Sequence, residues 1–402
     1  MWLSGALASQ LGDAVLSFGL GWAASAHGGV VAGLVLSAVS LPRTILLLVG
    51  GAVGDRVGAR RVMIVGDSVM LVVAVAVAIT ANWVGTPPVL LIVAALIIGT
   101  NGAFYVPSQG SMPRLLVTGD QLVRALALRQ SGTQLVSMVG APLGGVLAAF
   151  AGLPAAAGAD ALTFAIVLVV LIRIRPRFAP GPLDERKHLL PEAAEGVRLA
   201  LTTAAVRSAL LLVAGAAGLI LPFASILIPQ LARDHAWNPS FAGVLVGAQS
   251  VGTITSTLHV SKRGAGARPG LVGLVALVGT GAGQLTVALS TPLPLTIAGA
   301  FLAGAGTGVF VSSLSPIMLS AAPVGYVARV QALLTLVQSA ALLVTNNALG
   351  SLAHAVGPGA AIVVSACALV GCAIVGLASA PIRHLAPVTL QPGQGRGHDE
   401  SL

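Results

Sequence analysis

Apolar residues run through this chain in blocks of about twenty, the length that carries a helix across a bilayer's hydrocarbon core. Twelve stretches qualify: residues 2–25, 31–53, 62–81, 88–108, 125–151, 155–173, 207–232, 240–260, 270–290, 294–316, 329–353 and 358–380. Their ends carry turn signals, at Gly28-Gly29, Thr86-Pro87-Pro88, Gly152-Leu153-Pro154, Thr291-Pro292 and Gly357-Pro358. Glycine also recurs inside the blocks, where in lipid it favours close helix packing over breakage. A membrane β-barrel would show short segments of alternating polarity instead. The pattern predicts an all-α membrane protein of twelve transmembrane helices.

One long polar stretch, 174–206, holds Asp184, Glu185, Arg186, Lys187, His188, Glu192 and Glu195 and divides the helices six and six. The predicted organisation is an N-terminal six-helix bundle (1–173), a cytoplasmic central loop (174–206), a C-terminal six-helix bundle (207–380) and a cytoplasmic tail (381–402). A faint repeat supports the division. Met112-Pro113-Arg114 is followed by Arg124-Ala125-Leu126, and Ala322-Pro323 by Arg329-Val330-Gln331-Ala332-Leu333. Two parallel six-helix halves around a midplane site make up a known plan of secondary transporters.

Charge fixes the orientation. Of the 21 lysines and arginines, all but Arg43 and Arg233 fall in loops or a tail on one side if the N-terminus is cytoplasmic, as the positive-inside rule requires. Both termini are therefore expected in the cytoplasm. Charged residues make up only 8% of the chain, against roughly 25% in soluble domains, so most of the surface must face lipid. The net charge of +9 does not point to nucleic acid, because the cations sit in short inter-helix clusters without interleaved aromatics. No basic region precedes the first apolar stretch, which reads as a membrane helix and not as a cleaved signal peptide. Arginine outnumbers lysine, and alanine, glycine and valine dominate; this composition points to a bacterial plasma membrane. Cys367 and Cys372 share one apolar run, too few for a disulfide framework or metal site.

Between the second and third helices the chain reads Gly50-Gly51-Ala52-Val53-Gly54-Asp55-Arg56-Val57-Gly58-Ala59-Arg60-Arg61. A tight turn needs glycine, Asp55 at a helix end suits an arginine or a helix N-terminal dipole, and Arg60 and Arg61 hold the loop at the membrane surface. An ordinary positive loop would also fit. The loop nevertheless resembles closely the signature of the major facilitator superfamily, G-x-x-x-D-R-x-G-x-R-R, matched by Gly51, Asp55, Arg56, Gly58, Arg60 and Arg61. The resemblance implies the major facilitator fold, with two pseudo-symmetric six-helix bundles, and makes these residues a conformational latch whose partner surface lies around Arg329.

Weaker motifs resemble the third drug–proton antiporter group, which includes macrolide, tetracycline and siderophore exporters. They are Gln10-Leu11-Gly12-Asp13, Leu41-Pro42-Arg43, Phe104-Tyr105-Val106-Pro107, Val139-Gly140-Ala141-Pro142-Leu143-Gly144-Gly145 and Ala159-Asp160-Ala161-Leu162-Thr163-Phe164. In the exporter motif of helix 5 (Gly140, Pro142, Gly144, Gly145) the proline is displaced by one residue. The helix-4 arginine of many drug–proton antiporters has no counterpart between Leu96 and Phe104.

Ionisable residues at bilayer depth cost about 2.5–3.5 kcal/mol on insertion scales and are functional candidates by default. Asp13 and Arg43 each lie about twelve residues from the cytoplasmic face, roughly 18 Å deep at the helical rise. Neighbouring helices bring them within reach of one another. Their pair is a candidate for proton coupling, with a structural ion pair as the alternative. Asp67 is expected to pair with a loop arginine, and Asp160 to make a scaffold contact near the outer end of helix 6. Cavity candidates are Gln10, Asn101, Tyr105, Gln134, Gln249 and Gln338, with Trp22, Asn346 and Asn347 further possibilities. The second half has no acidic residue inside a span, which places any proton site in the first.

No P-loop or metal-ligand cluster is present in the sequence and the seven histidines are scattered, so neither an enzyme nor a cofactor or metal is expected. The best reading is a monomeric secondary active transporter, driven by protons, that exports a small amphipathic compound by alternating access. An uptake permease or facilitator on the same fold, and a transport-dead membrane sensor, are the alternatives.

Overall fold

The computed structural model describes residues 2–118, 120–174, 204–264, 266, 268–290, 292–320 and 327–378. Within its helices the side chains at 47–48, 51–52, 55, 114, 120, 123, 204–206, 315–320 and 327–332 lie outside the description. The central loop beyond 174 and the tail 381–402 also lie outside the described residues.

Nearly everything described is helix, because backbone polar groups in lipid must find partners within their own segment. The first half comprises α1 (Trp2–Ser25), α2 (Gly29–Val57), α3 (Ala59–Val84) and α4 (Pro88–Leu116), followed by one helical run, Asp120–Arg173. That run breaks at Ala151 and Gly152, whose φ of 64° turns the chain back, into two arms, α5 and α6. The second half opens with α7, in which Ala204–Pro222, a π-helical turn Phe223–Leu227 and Ile228–Asp234 run on as one rod. Pro222 ends the first segment; a proline deprives the ladder of a donor, which is where such wide turns form. Then come α8 (Pro239–Arg263), α9 (Pro269–Leu289), α10 (Leu293–Ser320), α11 (Val327–Val356) and α12 (Pro358–Ala378).

Ten of the described helices are long and apolar enough to cross a membrane, one of them the broken α5–α6 run of 50 residues within Arg124–Arg173. The two arms of that run make eleven crossings, and α1, 24 residues long, is the twelfth. Of its 24 residues 14 are buried against other helices, so few meet lipid. Elsewhere valine, leucine and isoleucine cover the outside, among them Val72, Val275, Val344 and Val375. Trp83 and Phe150, 83% and 85% exposed, stand at the ends of α3 and α5, where aromatic belts meet the bilayer interface.

Each half repeats one packing scheme. In the first, α1 packs on the α5–α6 run, α2 on α4, and α3 on both α4 and the α5–α6 run. In the second, α7 packs on α11, α8 on α10, and α9 on α10 and α12. The halves join through α2 with α11 and α5 with α8. Both junctions lie toward the face that carries His27 and Gly357. Gly29 faces the backbone of Gly350, Gly145 faces Gly243, and Asn347 Nδ2 donates to Ser37 Oγ at 2.8 Å. The largest buried apolar cluster draws on both halves there, from Leu16 and Val35 to Phe223 and Leu349. Toward the opposite face, which carries Gly58, the clusters are separate: one holds Trp2, Met63 and Leu171, the other Leu212, Phe310 and Leu369. Among the described residues the two halves are thus closed together at the His27 face and part toward the Gly58 face.

Candidate functional site

Midway through the first half, α1 crosses α6 so closely that a side chain at Gly12 would collide with Asp160 and Thr163. Asp160 therefore lies beside Asp13 at mid-membrane. The expectation of a contact near the outer end of helix 6 is corrected. Asp160 is fully buried; Thr163 Oγ1 donates to its Oδ1 at 3.2 Å, and its Oδ2 has no partner. On α3, Asp67 is likewise fully buried. Tyr105 of α4 donates its hydroxyl to Asp67 Oδ2 at 3.4 Å, while Oδ1 is unpaired. No arginine meets Asp67 among the described contacts, so the predicted loop pairing is also corrected. The carboxylate lies too deep for a surface cation to reach.

Arg43 of α2 seats its guanidinium against Gly102 of α4, a place open only because Gly102 lacks a side chain. Its Nε is buried without a partner. Asp13 and Arg43 interact electrostatically, and Asp13 acts in the same way on Asp67 and Asp160. Among the described contacts no direct hydrogen bond or ion pair joins Asp13 to Arg43. The sequence pointed to one acid and one base; the structure gathers three carboxyl groups, from α1, α3 and α6, of which Asp13 interacts with the guanidinium of Arg43. At effective protein dielectrics an uncompensated buried charge is expensive, so this cluster is sensitive to every charge or proton that enters or leaves it.

The amides fall into different settings. Gln10 donates to Gln109 Oε1 at 3.4 Å and accepts from Thr133 Oγ1 at 2.9 Å, tying α1 to α4 and α5. Arg129 Nη1 donates to the Gln109 carbonyl at 3.4 Å; sequence reasoning passed over Gln109. Tyr105 is buried among Trp2, Met63 and Leu171 and belongs to the acid cluster instead of an open cavity wall. Asn101 lies against Gly66 and lines a lateral groove between α2, α3 and α4. Gln134 and Gln338 are half-buried, and Gln249 is buried with its Oε1 unpaired.

At the signature loop a single residue, Gly58, joins α2 to α3 with φ 95°, a conformation that strains any residue with a side chain. Arg60 turns inward and donates to the Leu171 and Ile172 carbonyls at 2.9 and 3.0 Å, binding the start of α3 to the end of α6. A cation suits the negative end of a helix dipole. Arg56 and Arg61 are exposed. The side chains of Gly51, Asp55 and Arg329 lie outside the described residues. In the helix-5 motif, Gly140 and Gly144 face Ala14 and Phe18 of α1, whereas Pro142 and Gly145 face α8 at Gly247 and Gly243. One helix thereby packs closely against both halves.

The His27 face carries a second feature that the sequence signalled only as a lone arginine on the cation-poor side. Arg233, at the end of α7, donates from Nε to Ser25 Oγ and from Nη2 to the Trp22 carbonyl, both at 2.6 Å. Its guanidinium also lies 4.2 Å from the centre of the Trp22 ring. Gln230 adds a bond to the Ser25 carbonyl at 3.4 Å. Together they clasp α1 to α7 across the two halves.

Comparison with solved structures supports the same architecture. A D-xylose–proton symporter matches with TM-score 0.73 at 11% identity, covering 96% of this chain and 98% of the other. The inward-open xylose transporter XylE of E. coli matches with TM-score 0.70 at 11% identity, covering 98% of both chains. The nucleoside transporter NupG matches with TM-score 0.70 at 15% identity, over 92% and 98%. Among curated sequences, the multidrug efflux pump Tap of Mycolicibacterium fortuitum is 25% identical over 368 residues, 89% of this chain and 85% of the relative. The enterobactin exporter EntS of Shigella boydii is 27% identical over 260 residues, 63% of this chain and 59% of the relative. The family described as transmembrane secretion effector matches residues 1–392. That match spans nearly the whole sequence, and the chain belongs to the transmembrane secretion effector family of major facilitator transporters.

Proposed function

We propose that this protein is a proton-coupled exporter of small amphipathic compounds, acting as a single chain in a bacterial plasma membrane with both termini in the cytoplasm. The observation that carries the coupling is the buried cluster of Asp13, Asp67 and Asp160, in which Arg43 acts on Asp13. A single guanidinium offsets one carboxylate. The remaining charge balance at mid-membrane depends on protons, and a movement of α1 against α2 changes how far Arg43 offsets Asp13. Export is supported by the names of the sequence relatives, an efflux pump for drugs and an exporter of a siderophore.

In this orientation the Gly58 face is cytoplasmic, and the conformation, closed at the His27 face, opens inward to admit cargo from the cytoplasm. The turn at Gly58, with Asp55, Arg56 and the region of Arg329, would latch the halves when they close on this side. Gln134, Gln249 and Gln338 offer neutral hydrogen-bonding groups, which suits a weakly charged cargo.

The test uses inverted membrane vesicles, a fluorescent amphipathic dye and an imposed proton gradient. The wild type accumulates dye only with the gradient present. Asp13→Asn lowers gradient-driven accumulation by at least about tenfold, the effect of losing about 1.4 kcal/mol of coupling, while dye binding persists. If Asp13→Asn transports at the wild-type rate with the wild-type pH dependence, coupling through Asp13 is wrong.

A further inference from the structure

Outside the central region, the first half carries a groove of ≈ 450 Å³ between α2, α3 and α4. Its walls are Val57, Val65, Val69, Leu96 and Phe104, and Arg61 stands among its lining residues. Val57, Val65, Val69 and Leu96 are all exposed, Val65 by 63%. The groove therefore opens sideways through the apolar outer wall and not toward the space between the halves. Thr100, also in the lining, satisfies its hydroxyl on the Leu96 carbonyl of its own helix. Asn101 is held at the inner wall against Gly66. What remains accessible is a hydrocarbon-lined slot with one cation.

The position of that cation selects the occupant. Arg61 follows the α2–α3 turn by three residues, at the membrane surface, where phospholipid phosphates lie. Its neighbour Arg60 is committed to the Leu171 and Ile172 carbonyls, whereas Arg61 is exposed and faces the groove. A guanidinium binds a phosphate through two parallel N–H donors. Basic sites between transmembrane helices at the headgroup level are places where anionic lipids dock. The volume lies in the range of ordinary ligand pockets, and its apolar walls suit an acyl chain.

We propose that the α2–α3–α4 groove is a binding site for an anionic diacyl phospholipid, with one acyl chain between Val65 and Leu96 and the phosphate on Arg61. The site adds a lipid ligand to the transport reading and does not depend on its direction or coupling. It rests on the membrane-spanning fold alone.

The test is native mass spectrometry of the full chain purified in detergent and titrated with phosphatidylglycerol or phosphatidylcholine. The first phosphatidylglycerol is expected to bind about fivefold more tightly than the first phosphatidylcholine, the attraction of one arginine at the surface. Arg61→Gln should abolish that preference. Val65→Trp, which fills the groove from an already exposed position, should weaken first-site binding of both lipids. Arg263→Gln, exposed at the end of α8 on the same face, should leave binding unchanged. Equal affinity for the two lipids in the wild type overturns the proposal, as does an unaltered preference in Arg61→Gln. An equal loss in Arg263→Gln and Arg61→Gln overturns it too, because diffuse surface charge would then explain the binding. If Val65→Trp fails to elute as a folded monomer, the arginine variants decide.

Discussion

Asp160 shows what a residue's position along a helix does and does not reveal. Counting at 1.5 Å per residue gives depth, and depth identified Asp13 and Arg43 as membrane-buried charges. It does not give the direction in which a side chain points around the helix axis, nor how closely the next helix approaches. Gly12 lets α1 press onto α6, and that approach turns Asp160 from a scaffold residue into a neighbour of Asp13. Asp67 differs for another reason: it lies below the reach of the loop arginines, and among the described contacts its partner is Tyr105. Because these groups share one electrostatic environment, their mutational effects should not add. Asp160→Asn is expected to reduce proton-driven dye transport in vesicles severalfold, and the double variant with Asp13→Asn to be no worse than Asp13→Asn alone. Independent, multiplying losses would show that Asp160 serves stability and not coupling.

Single helices were legible almost throughout, since a lipid-facing helix must announce itself by its apolar length. The helices extend past their hydropathic limits, α4 to Leu116 against a predicted 108 and α2 to Val57 against 53. Backbone hydrogen bonding continues after the lipid ends, and only composition changes there. The link between α3 and α6 was not legible, because Arg60 looked like one more cation serving orientation. Its bonds to two carbonyls at the end of α6 make it an element-level fastener. A hydrogen bond from a charged donor contributes about 1.5–3 kcal/mol, less where water competes, and this guanidinium is half-exposed. Arg60→Gln is therefore expected to lower the melting temperature in detergent by about 2–4 °C, measured by the fluorescence of a thiol or tryptophan probe. Arg61→Gln, one residue on and without such bonds among the described contacts, should melt with the wild type. Equal losses would mean that both residues act only through loop charge.

At the scale of the whole molecule, alternating access needs two states of similar free energy, and the conformation described here is held shut on one side only. Arg233 contributes two charged hydrogen bonds and a ring contact to the junction of α1 and α7. Close packing at Gly29–Gly350 and Gly145–Gly243 supplies shape, and the directional bonds described beside it, Asn347 to Ser37 and Ser240 to the Gly145 carbonyl, are uncharged. Opening the His27 face must break the Arg233 bonds, so the arginine sets much of the balance between the two states. Each charged bond contributes about 1.5–3 kcal/mol and the cation–π contact about 0.5–1, before the water that replaces them is counted. A net change of only 1.4 kcal/mol is a tenfold population shift. Arg233→Ala is thus expected to move the ensemble toward states open on the His27 face. Spin labels at Val84 and Val356, exposed on that face in opposite halves, should report a longer distance whose population rises at least about tenfold. Arg233→Lys keeps the charge but loses the planar fork, so it should fall between the two. A distance distribution identical in wild type and Arg233→Ala would place the closing energy in the glycine crossings, leaving the arginine a passenger at the interface.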